Sequence, residues 1–461
     1  MVTEERRDTA LEPLDPGLPP IDRHARVPDG FAAGGITAGI KASGRPDLMI
    51  VMAMDGPAAA AAVFTQNAFA AAPVRLSQSH LAATEPAGRG RYGWADAVIS
   101  TSGCANAATG AGGAADQAAI ADALAEALRT IPERTLALST GLIGTRLPVA
   151  VVVAGIGALL EAGLGTDADA LESAADALRT TDSRTKIAGT TIDLPAHDGS
   201  SVTVHVSGIA KGVGMIHPRM ATMLSVVMTD AAVKPAVLHG LLRAATVRTW
   251  DQLTVDGDTS TNDTVFLLAS ATAKAAPVVA GSDAAQRLGH AIEAVARDLA
   301  RQQAADGEGA TTLLTCQVTG AADDVDARAV ARAVVSSSLF KAAVHGRDPN
   351  WGRIAGAAGN ARIPEAAILE AAGLTPDEAR RRAGTTPAID PDQLRIAIAG
   401  TLVFDGMAGG PQAFDKAAVR DRMDAPETIV RLDLGLGEGW GEAFGCDLTE
   451  AYVIENSEYS T

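Results

Sequence analysis

Cysteine, positive charge and long apolar runs are all scarce in this sequence of 461 residues. The three cysteines, Cys104, Cys316 and Cys446, are too few and too scattered for a disulfide framework, and no CxxC pair indicates zinc. The 38 basic residues are outnumbered by 55 acidic ones, and the net charge of -17 argues against nucleic acid or an anionic membrane surface as a partner. The cysteine usage favours a reducing cytoplasm.

Segments that would cross a membrane or direct export are also missing. The most apolar run, Val149 to Leu160, is well short of the roughly 20 residues that span a bilayer. Residues 1–28 are rich in charge and proline and contain no apolar signal core, so they predict a flexible leader. We therefore expect a soluble protein.

Three common catalytic motifs do not occur: the GxSxG nucleophile turn, the GxxxxGK[ST] phosphate loop and the HExxH metal site. The alternating glycines from Gly435 to Gly441 lack the GxGxxG spacing, which favours a glycine-rich hairpin over a nucleotide loop. These absences exclude three large classes of enzyme.

Hydrophobic periodicity predicts a mixed α/β or α+β protein with helices packed on sheets. Apolar or alternating runs predict strands, and apolar residues that recur every three or four positions predict helices. A capping-box spacing between Thr166 and Asp169 predicts the start of a helix that ends near Thr180. The other predicted elements are strands at 48–54, 58–64, 202–206, 221–228 and 313–318, a helix through 288–299 and a strand region around 429–453.

Dense polar clusters of hydroxyls, amides, carboxylates and glycines interrupt these apolar segments. Each cluster alone fits a turn or a helix cap. Together they predict a site that is assembled from many loops. The clusters are 101–106, 139–141, 180–182, 211–214, 254–264 and 348–353.

Several long segments resemble the ornithine acetyltransferase (glutamate N-acetyltransferase) family. GIAKGVGMIHPRMATMLSVVMTDA at 208–231 is similar to the family's self-cleavage segment, and LTVDGDTSTNDTV at 253–265 resembles a second signature. STGLIGTRLP from Ser139, DGEGAT from Asp306, HGRDPNWGRI from His345 and the tail GCDLTEAYVIENSEYST from Gly445 follow in the family's order. The resemblance covers about residue 30 to the last residue.

The resemblance implies layered helices on mixed β-sheets, with a main α/β domain at 29–320 and a smaller C-terminal α/β domain at 321–461 whose tail returns to the active site. It also implies that the precursor cleaves itself between Ala221 and Thr222. Thr222 then becomes an N-terminal nucleophile, whose free amine, with a pKa of about 7.7 to 8.0, accepts the hydroxyl proton without a separate histidine.

By the same resemblance, Thr140 and Gly141 form the oxyanion hole of the acyl-transfer reaction. The implied substrate contacts are Thr180, Lys211, Thr222, Glu308, Asn456 and Thr461. The implied reaction is ping-pong transfer of acetyl from N2-acetylornithine to L-glutamate, with use of acetyl-CoA in some members. The resemblance also implies that no metal or organic cofactor is required. It further implies that cleavage gives an α chain and a β chain, and that two copies of each form a heterotetramer.

Departures from the family pattern keep three alternatives open. Thr101 and Cys104 stand where the family has two asparagines, and Val213 replaces a common serine. One alternative is a paralogue that acts on a related acetylated amino acid in secondary metabolism. The second is an N-terminal-nucleophile amidohydrolase or aminopeptidase, in which water replaces the acceptor amine. The third is an uncleaved, catalytically silent partner subunit.

Overall fold

A computed structural model describes residues 14–216 and 223–457 of the chain. Within them, two compact units are each assembled from several stretches of sequence. The larger unit comprises residues 18–246 and 258–299, and the smaller one comprises residues 14–17, 247–257 and 300–457. The two compact units therefore have other boundaries than the contiguous domains that the sequence analysis predicts. The domain boundaries at 28 and 320 stay a prediction.

The elements that begin in the larger unit form two sheets and the helices around them. They are β1 Phe31–Ile36, β2 Leu48–Ala53, β3 Ala58–Phe64, α1 Ala72–Thr84, β4 Tyr92–Ala95, β5 Ala97–Cys104, α2 Gly110–Leu128, β6 Thr135–Leu142, α3 Val149–Ala162, α4 Ala168–Leu178, β7 Lys186–Pro195, β8 Ser201–Lys211, β9 Leu224–Thr229, α5 Pro235–Arg248, β10 Thr264–Ala269 and α6 Asp283–Ala305.

The two sheets of the larger unit are both mixed. The four-stranded sheet has the order β1-β2-β5-β6, with β5 parallel to β6. The six-stranded sheet has the order β4-β3-β10-β9-β8-β7, with β9 parallel to β10 and antiparallel to β8. Strands β9 and β10 are buried throughout, as expected for central strands that are covered on both faces.

These sheets stack between two helical layers. Ile120 of α2 and Ile156 of α3 pack with Ile50 against one face of the four-stranded sheet. The other face shares a core with the six-stranded sheet, to which α4 also contributes. On the outer face of the six-stranded sheet, a Cβ on Gly208 would lie 3.2 Å from methyl carbons of α6 side chains, so the helix packs directly on β8. The layers are therefore helix, sheet, sheet and helix.

The smaller unit has one six-stranded sheet of order β14-β13-β12-β15-β11-β16. Its apolar core joins Cys316 and Val318 of β11 to Val330 and Phe340 of the covering helices. Its elements are β11 Leu313–Ala321, α7 Asp324–Ser336, α8 Ser338–His345, α9 Trp351–Gly359, α10 Ala366–Ala371, α11 Pro376–Arg382, β12 Arg395–Ile398, β13 Thr401–Asp405, β14 Gly410–Pro411, α12 Lys416–Arg422, β15 Glu427–Asp433, β16 Gly439–Cys446 and α13 Glu450–Ser457.

The predicted fold class is confirmed, and several local predictions are corrected. Helix α4 is capped by Asp167, which accepts from the Ala170 N–H, rather than by Thr166. The glycine-rich 435–441 segment is not a hairpin, because β15 and β16 pair on opposite sides of β11. The end of the predicted terminal strand region is helix α13. Among the described residues, no helix is both long enough and apolar enough to cross a membrane.

Candidate active site

Two parallel strands of the larger unit end side by side in polar residues. Ser102 of β5 is in register with Thr140 of β6, and Gly103 is in register with Gly141. The predicted loop at 101–106 is therefore strand as far as Cys104, and it lies directly against the predicted oxyanion turn. The Thr101 and Cys104 departures consequently adjoin the site, although the Cys104 thiol itself is buried and contacts the carbonyl of Thr145 at 3.1 Å.

Glycine is required at position 141 for two reasons. Its φ of +129° lies in the region that side chains avoid. A Cβ on Gly141 would also lie 2.3 Å from the carbonyl carbon of Gly103 and 2.6 Å from the amide nitrogen of Cys104. This close backbone approach fixes where the peptide groups that follow Thr140 lie.

Asn262, from the LTVDGDTSTNDTV segment, joins the ends of these two strands. Its side-chain amide donates to the carbonyl oxygens of Ala105 at 2.6 Å and Ser139 at 2.8 Å. Its side-chain oxygen, Oδ1, accepts from the Thr261 hydroxyl at 2.6 Å. Asn262 is buried, so these bonds replace those to water and hold the residue before Thr140 in place. In the sequence, Asn262 belongs to the polar cluster at 254–264, and no motif indicates a role for it.

Lys211 approaches the predicted oxyanion turn from the six-stranded sheet. Its ammonium group donates to the Thr140 hydroxyl over 3.3 Å. Because Thr140 Oγ1 accepts this bond, its own proton remains available for donation to a substrate oxygen. Lys211 is the last residue of β8 and is in register with Leu224, the first residue of β9. Leu224 follows Thr222 by two positions in the sequence.

A buried carboxylate connects Thr180 with the Lys211 segment. Asp182 Oδ2 accepts from the Thr180 N–H at 3.0 Å, while Oδ1 accepts from the Gly212 N–H at 2.7 Å and from the Lys186 ammonium at 2.7 Å. Burial raises the pKa of Asp182, but the nearby Lys186 and Lys211 charges and the Gly212 N–H outweigh it, so the pKa lies below its usual range. Asp182 therefore stays ionised.

Lys41 holds the residue before Thr180. Its amine donates to the carbonyl oxygens of Arg179 at 2.6 Å and Pro46 at 2.7 Å. Burial lowers the pKa of Lys41 to about 8, although the neighbouring Asp47 opposes that change. No pattern in the sequence singled out Lys41, because its role comes from contacts with residues far along the chain.

In the smaller unit, Glu308 and Asn456 form a second pair of predicted substrate contacts. The Asn456 amide donates to Glu308 Oε2 at 3.0 Å. Gly309, which follows Glu308, has a φ of +65°, and its carbonyl accepts from the Thr449 hydroxyl at 2.7 Å. The DGEG turn and the C-terminal tail, which are far apart in the sequence, therefore meet within this unit.

Asp447 strengthens this junction. Its carboxylate accepts from the N–H groups of Thr311 at 2.8 Å and Thr312 at 3.1 Å. His345 Nδ1 lies 3.1 Å from the other carboxylate oxygen. Three of the motifs that resemble family signatures, from Asp306, His345 and Gly445, thus converge on one turn. The buried Thr312 therefore belongs to this network.

Another polar cluster lies toward the opposite end of β8. His205 Nδ1 is 2.9 Å from Asp230 Oδ2, and Arg26 pairs with Asp29 and lies 3.3 Å from His205 Nε2. Burial raises the pKa of Asp230. The oxygen and nitrogen atoms of Asp29, His205 and Asp230 are close enough for a cation, but the Arg26 guanidinium already supplies a positive charge there.

The predicted site residues therefore fall into three sets. Thr140, Gly141, Lys211 and Thr180 belong to one connected cluster in the larger unit, and Glu308 and Asn456 contact each other in the smaller one. Ala221, Thr222 and Thr461 lie outside the described residues. The catalytic and binding roles of all these residues stay predictions.

The fold and the first cluster define a layered α/β protein whose polar strand ends suit acyl-transfer chemistry. The chain belongs to the ArgJ family, whose sequence model matches residues 32–461. It is 42% identical over 432 residues to the arginine biosynthesis bifunctional protein ArgJ of Thermosynechococcus vestitus, covering 94% of this chain and 96% of that protein. The ArgJ protein of Gloeobacter violaceus is 40% identical over 445 residues, which cover 96% and 98% of the two chains.

A solved structure is also similar to part of the chain. It is the arginine biosynthesis bifunctional protein ArgJ of Bacillus halodurans, with 35% sequence identity and a TM-score of 0.44. The match covers 51% of this chain and 99% of the solved one.

Proposed function

We propose that this chain is a self-processing acetyltransferase of arginine biosynthesis, which moves acetyl from N2-acetylornithine to L-glutamate. Membership of the ArgJ family, with relatives named for arginine biosynthesis that align over nearly their whole length, supports the pathway and the reaction. The term "bifunctional" in those names supports a second reaction, in which acetyl-CoA acetylates glutamate.

One observation supports the location of the chemistry more than any other. The Lys211 ammonium lies 3.3 Å from the hydroxyl of Thr140, so a cation and a hydroxyl donor adjoin each other at the start of β9. Acyl transfer needs donors that are already in place where negative charge develops on the carbonyl oxygen, and a single such donor contributes about 3 to 4 kcal/mol in comparable sites. Thr140 and the backbone at Gly141 meet that need.

The proposed mechanism begins with cleavage of the Ala221–Thr222 bond. The Thr222 hydroxyl attacks the Ala221 carbonyl, and the peptide C–N bond breaks as the ester forms, which frees the Thr222 amine. Water then hydrolyses the ester, which releases the Ala221 carboxylate and restores the Thr222 hydroxyl. That amine then takes the hydroxyl proton while the oxygen attacks the acetyl carbonyl of the donor. The amide C–N bond breaks, and the deacetylated amine leaves with the proton.

A second half-reaction regenerates the enzyme. The acceptor amine attacks acetyl-Thr222 through another tetrahedral intermediate, whose oxyanion Thr140 and Gly141 again stabilise. The ester C–O bond breaks, and the proton that the acceptor amine loses passes through the Thr222 amine to the Thr222 oxygen. Lys211 supplies a positive charge for a substrate carboxylate, and Glu308 supplies a negative charge for a substrate amine. Thr180, Asn456 and Thr461 complete the proposed substrate contacts, and no step uses a metal or an organic cofactor.

The processing step is tested by the intact masses of the purified chains. The wild type should give two fragments, residues 1–221 and 222–461, whereas Thr222→Ala should give one uncleaved chain. A wild-type protein that remains a single chain contradicts self-processing and supports the silent-subunit alternative. Native mass measurement of the cleaved protein checks the proposed assembly of two α and two β chains.

The reaction is tested by isotope exchange. Labelled acetyl should pass from N2-acetylornithine to glutamate, and the rate should depend on the acceptor concentration. Release of free acetate without acceptor dependence would instead identify an amidohydrolase. Transfer among other acetylated amino acids, with none to glutamate, would identify a paralogue outside the arginine pathway. Reduced cysteines and a biosynthetic role both agree with a cytoplasmic location, which the proposal includes.

A further inference from the structure

Asp182 is a buried carboxylate that is not among the predicted catalytic or substrate-binding residues. It lies between α4 and β7 and is only 1% exposed. An ionised carboxylate in such a place needs hydrogen bonds and opposite charge, because burial alone strongly disfavours the charged form. The groups that pair with Asp182 therefore indicate the structural role of its negative charge.

Those partners come from separate segments that are all near predicted site residues. One oxygen accepts from the Thr180 backbone, and the other accepts from Gly212 at the end of β8 and from Lys186 at the start of β7. Gly212 directly follows Lys211, whose ammonium reaches the Thr140 hydroxyl. A single carboxylate thus connects the Thr180 segment with the Lys211 turn.

Charged groups of both signs surround this carboxylate, since Arg179 pairs with Asp176 and Lys41 lies near Asp47. Lys186, which is fully buried, pairs with Asp182, and the Lys211 charge is near enough to lower the pKa of Asp182. Arg179 donates to the backbone carbonyl of Asp182 at 3.3 Å, and Lys41 is a further cation within electrostatic range. In a buried setting these cations repel one another unless a negative charge lies between them.

We propose that Asp182 is a positioning residue for acetyl transfer, which holds the Lys211–Gly212 turn beside Thr140 and keeps Lys211 protonated despite the neighbouring Lys186. Its relevance to catalysis rests on the proposed function, whereas its effect on the charge of Lys211 does not. Loss of the Asp182 charge should leave Lys186 and Lys211 to repel each other, so that Lys211 gives up its proton at a lower pH.

The direct test follows the side-chain NMR signals of lysine in the full-length protein, labelled only at lysine, during a pH titration. The chain has seven lysines, and Lys211→Met identifies the Lys211 signal by its loss. In Asp182→Asn, which keeps the size of the side chain but removes its charge, the Lys211 midpoint should fall by about 1 to 3 pH units. An unchanged midpoint in the folded variant overturns the proposal.

Two further variants separate charge from structure. Asp182→Asn combined with Lys186→Met removes both the carboxylate and one repelling cation, so the Lys211 midpoint should return part of the way to its wild-type value.

Asp230→Asn is the matched control, because Asp230 is also buried but is distant from Lys211. Leu224, the partner of Lys211, begins β9, whereas Asp230 follows the other end of that strand, about 20 Å from Leu224. It should leave the Lys211 midpoint unchanged, and a fall as large as that in Asp182→Asn overturns the proposal.

The proposal also stays testable if Asp182→Asn does not fold. Lys186→Met alone keeps the carboxylate and removes a repelling cation, so the Lys211 midpoint should rise above the wild-type value. A midpoint that does not rise contradicts the charge balance proposed here.

Activity provides the final comparison. In a wild type that transfers acetyl, the alkaline limb of kcat/KM should shift to lower pH in Asp182→Asn by the same amount as the Lys211 midpoint. A limb that does not shift overturns the positioning role in catalysis. A wild type without acetyl transfer contradicts the proposed function, while the NMR midpoints still decide whether Asp182 controls the charge of Lys211.

Discussion

Gly141 packs so closely against Gly103 that a single added carbon on Gly141 would lie 2.3 Å from the Gly103 carbonyl carbon. Real side-chain carbons do not come that close to backbone atoms, so either β5 or β6 would have to move. The two strands carry Ser102 and Thr140 at the preceding register position. The shape of the predicted oxyanion turn therefore depends on the absence of a side chain at Gly141.

Gly141→Ala should lower the free energy of unfolding by about 2 to 4 kcal/mol, because it combines the steric overlap with an unfavourable φ of +129°. It should also reduce acetyl transfer more than this loss of stability explains, since Thr140 adjoins the displaced peptide. Urea unfolding and exchange rates measure the two effects. Gly157→Ala is the control, because Gly157 lies within helix α3 and a Cβ there meets nothing within 4 Å. An alanine at 141 with wild-type stability contradicts the described packing.

Thr140→Val should reduce kcat for acetyl transfer by about 100- to 1000-fold, because it removes a hydroxyl donor from the proposed oxyanion hole. The valine has nearly the same shape, so stability should change little. Thr140→Ser keeps the hydroxyl near Lys211 and should retain most of the activity. Steady-state kinetics of both variants, with intact masses to show whether each is cleaved, provide the comparison. A fully active valine variant rules out a catalytic role for this hydroxyl.

The sequence predicted more of the fold than of the site, and particular residues show why. The strand at 58–64 was predicted with its observed bounds, since its unbroken apolar run matches a fully buried strand. Strand β8 was expected to end before Gly208, yet it continues to Lys211. Gly208 is suited to the strand because Val295 and Leu299 of α6 occupy the space of a side chain. A contact from so distant a segment leaves no local pattern.

The site shows the same limit. Resemblance to a family selected Thr140, Gly141 and Lys211, but spacing alone did not indicate that they are close together. Asp182 and Asn262 were placed in polar clusters without roles, because their importance lies in bonds to Gly212 and Ser139 from other strands. No motif or spacing in the sequence indicates a role for Lys41. Its amine bonds to backbone carbonyls, which any sequence offers.

Asn456→Ala should raise KM for the amino-acid substrates with little effect on stability, because Asn456 is exposed and its bond to Glu308 is at the surface. Loss of one exposed contact changes the free energy of unfolding by at most about 0.5 kcal/mol. Glu308→Gln should also raise KM, and the double variant should raise it by less than the product of the two single effects, as expected for residues in contact.

Ser457→Ala, on the same helix α13 but with its hydroxyl bonded locally to Ile454, is the matched control and should keep the wild-type KM. Kinetics with each substrate varied in turn show which half-reaction the pair serves. If Asn456→Ala and Glu308→Gln both bind every substrate as the wild type does, the predicted substrate contacts in the smaller unit are wrong.

His239 should make the protein less stable as the pH falls from about 6.5 to about 4. Burial, together with the positive charges of Arg91 and Arg243, lowers the pKa of His239 to about 4. In the unfolded chain the same imidazole binds its proton near pH 6.5. Between these two values the unfolded state binds more protons than the folded state, so the free energy of unfolding rises with pH there and falls on acidification. His239 should account for a loss of up to about 3 kcal/mol between pH 7 and pH 4.

His239→Phe keeps an aromatic ring against Tyr92, whose centroid is 5.6 Å from that of His239, and removes the titration. Urea unfolding from pH 4 to 7 should therefore show a shallower acid slope for this variant, whereas His290→Ala, at an exposed position on α6, should keep the wild-type slope. Equal slopes in the wild type and His239→Phe would show that the folded protein holds the His239 proton no more weakly than the unfolded chain does.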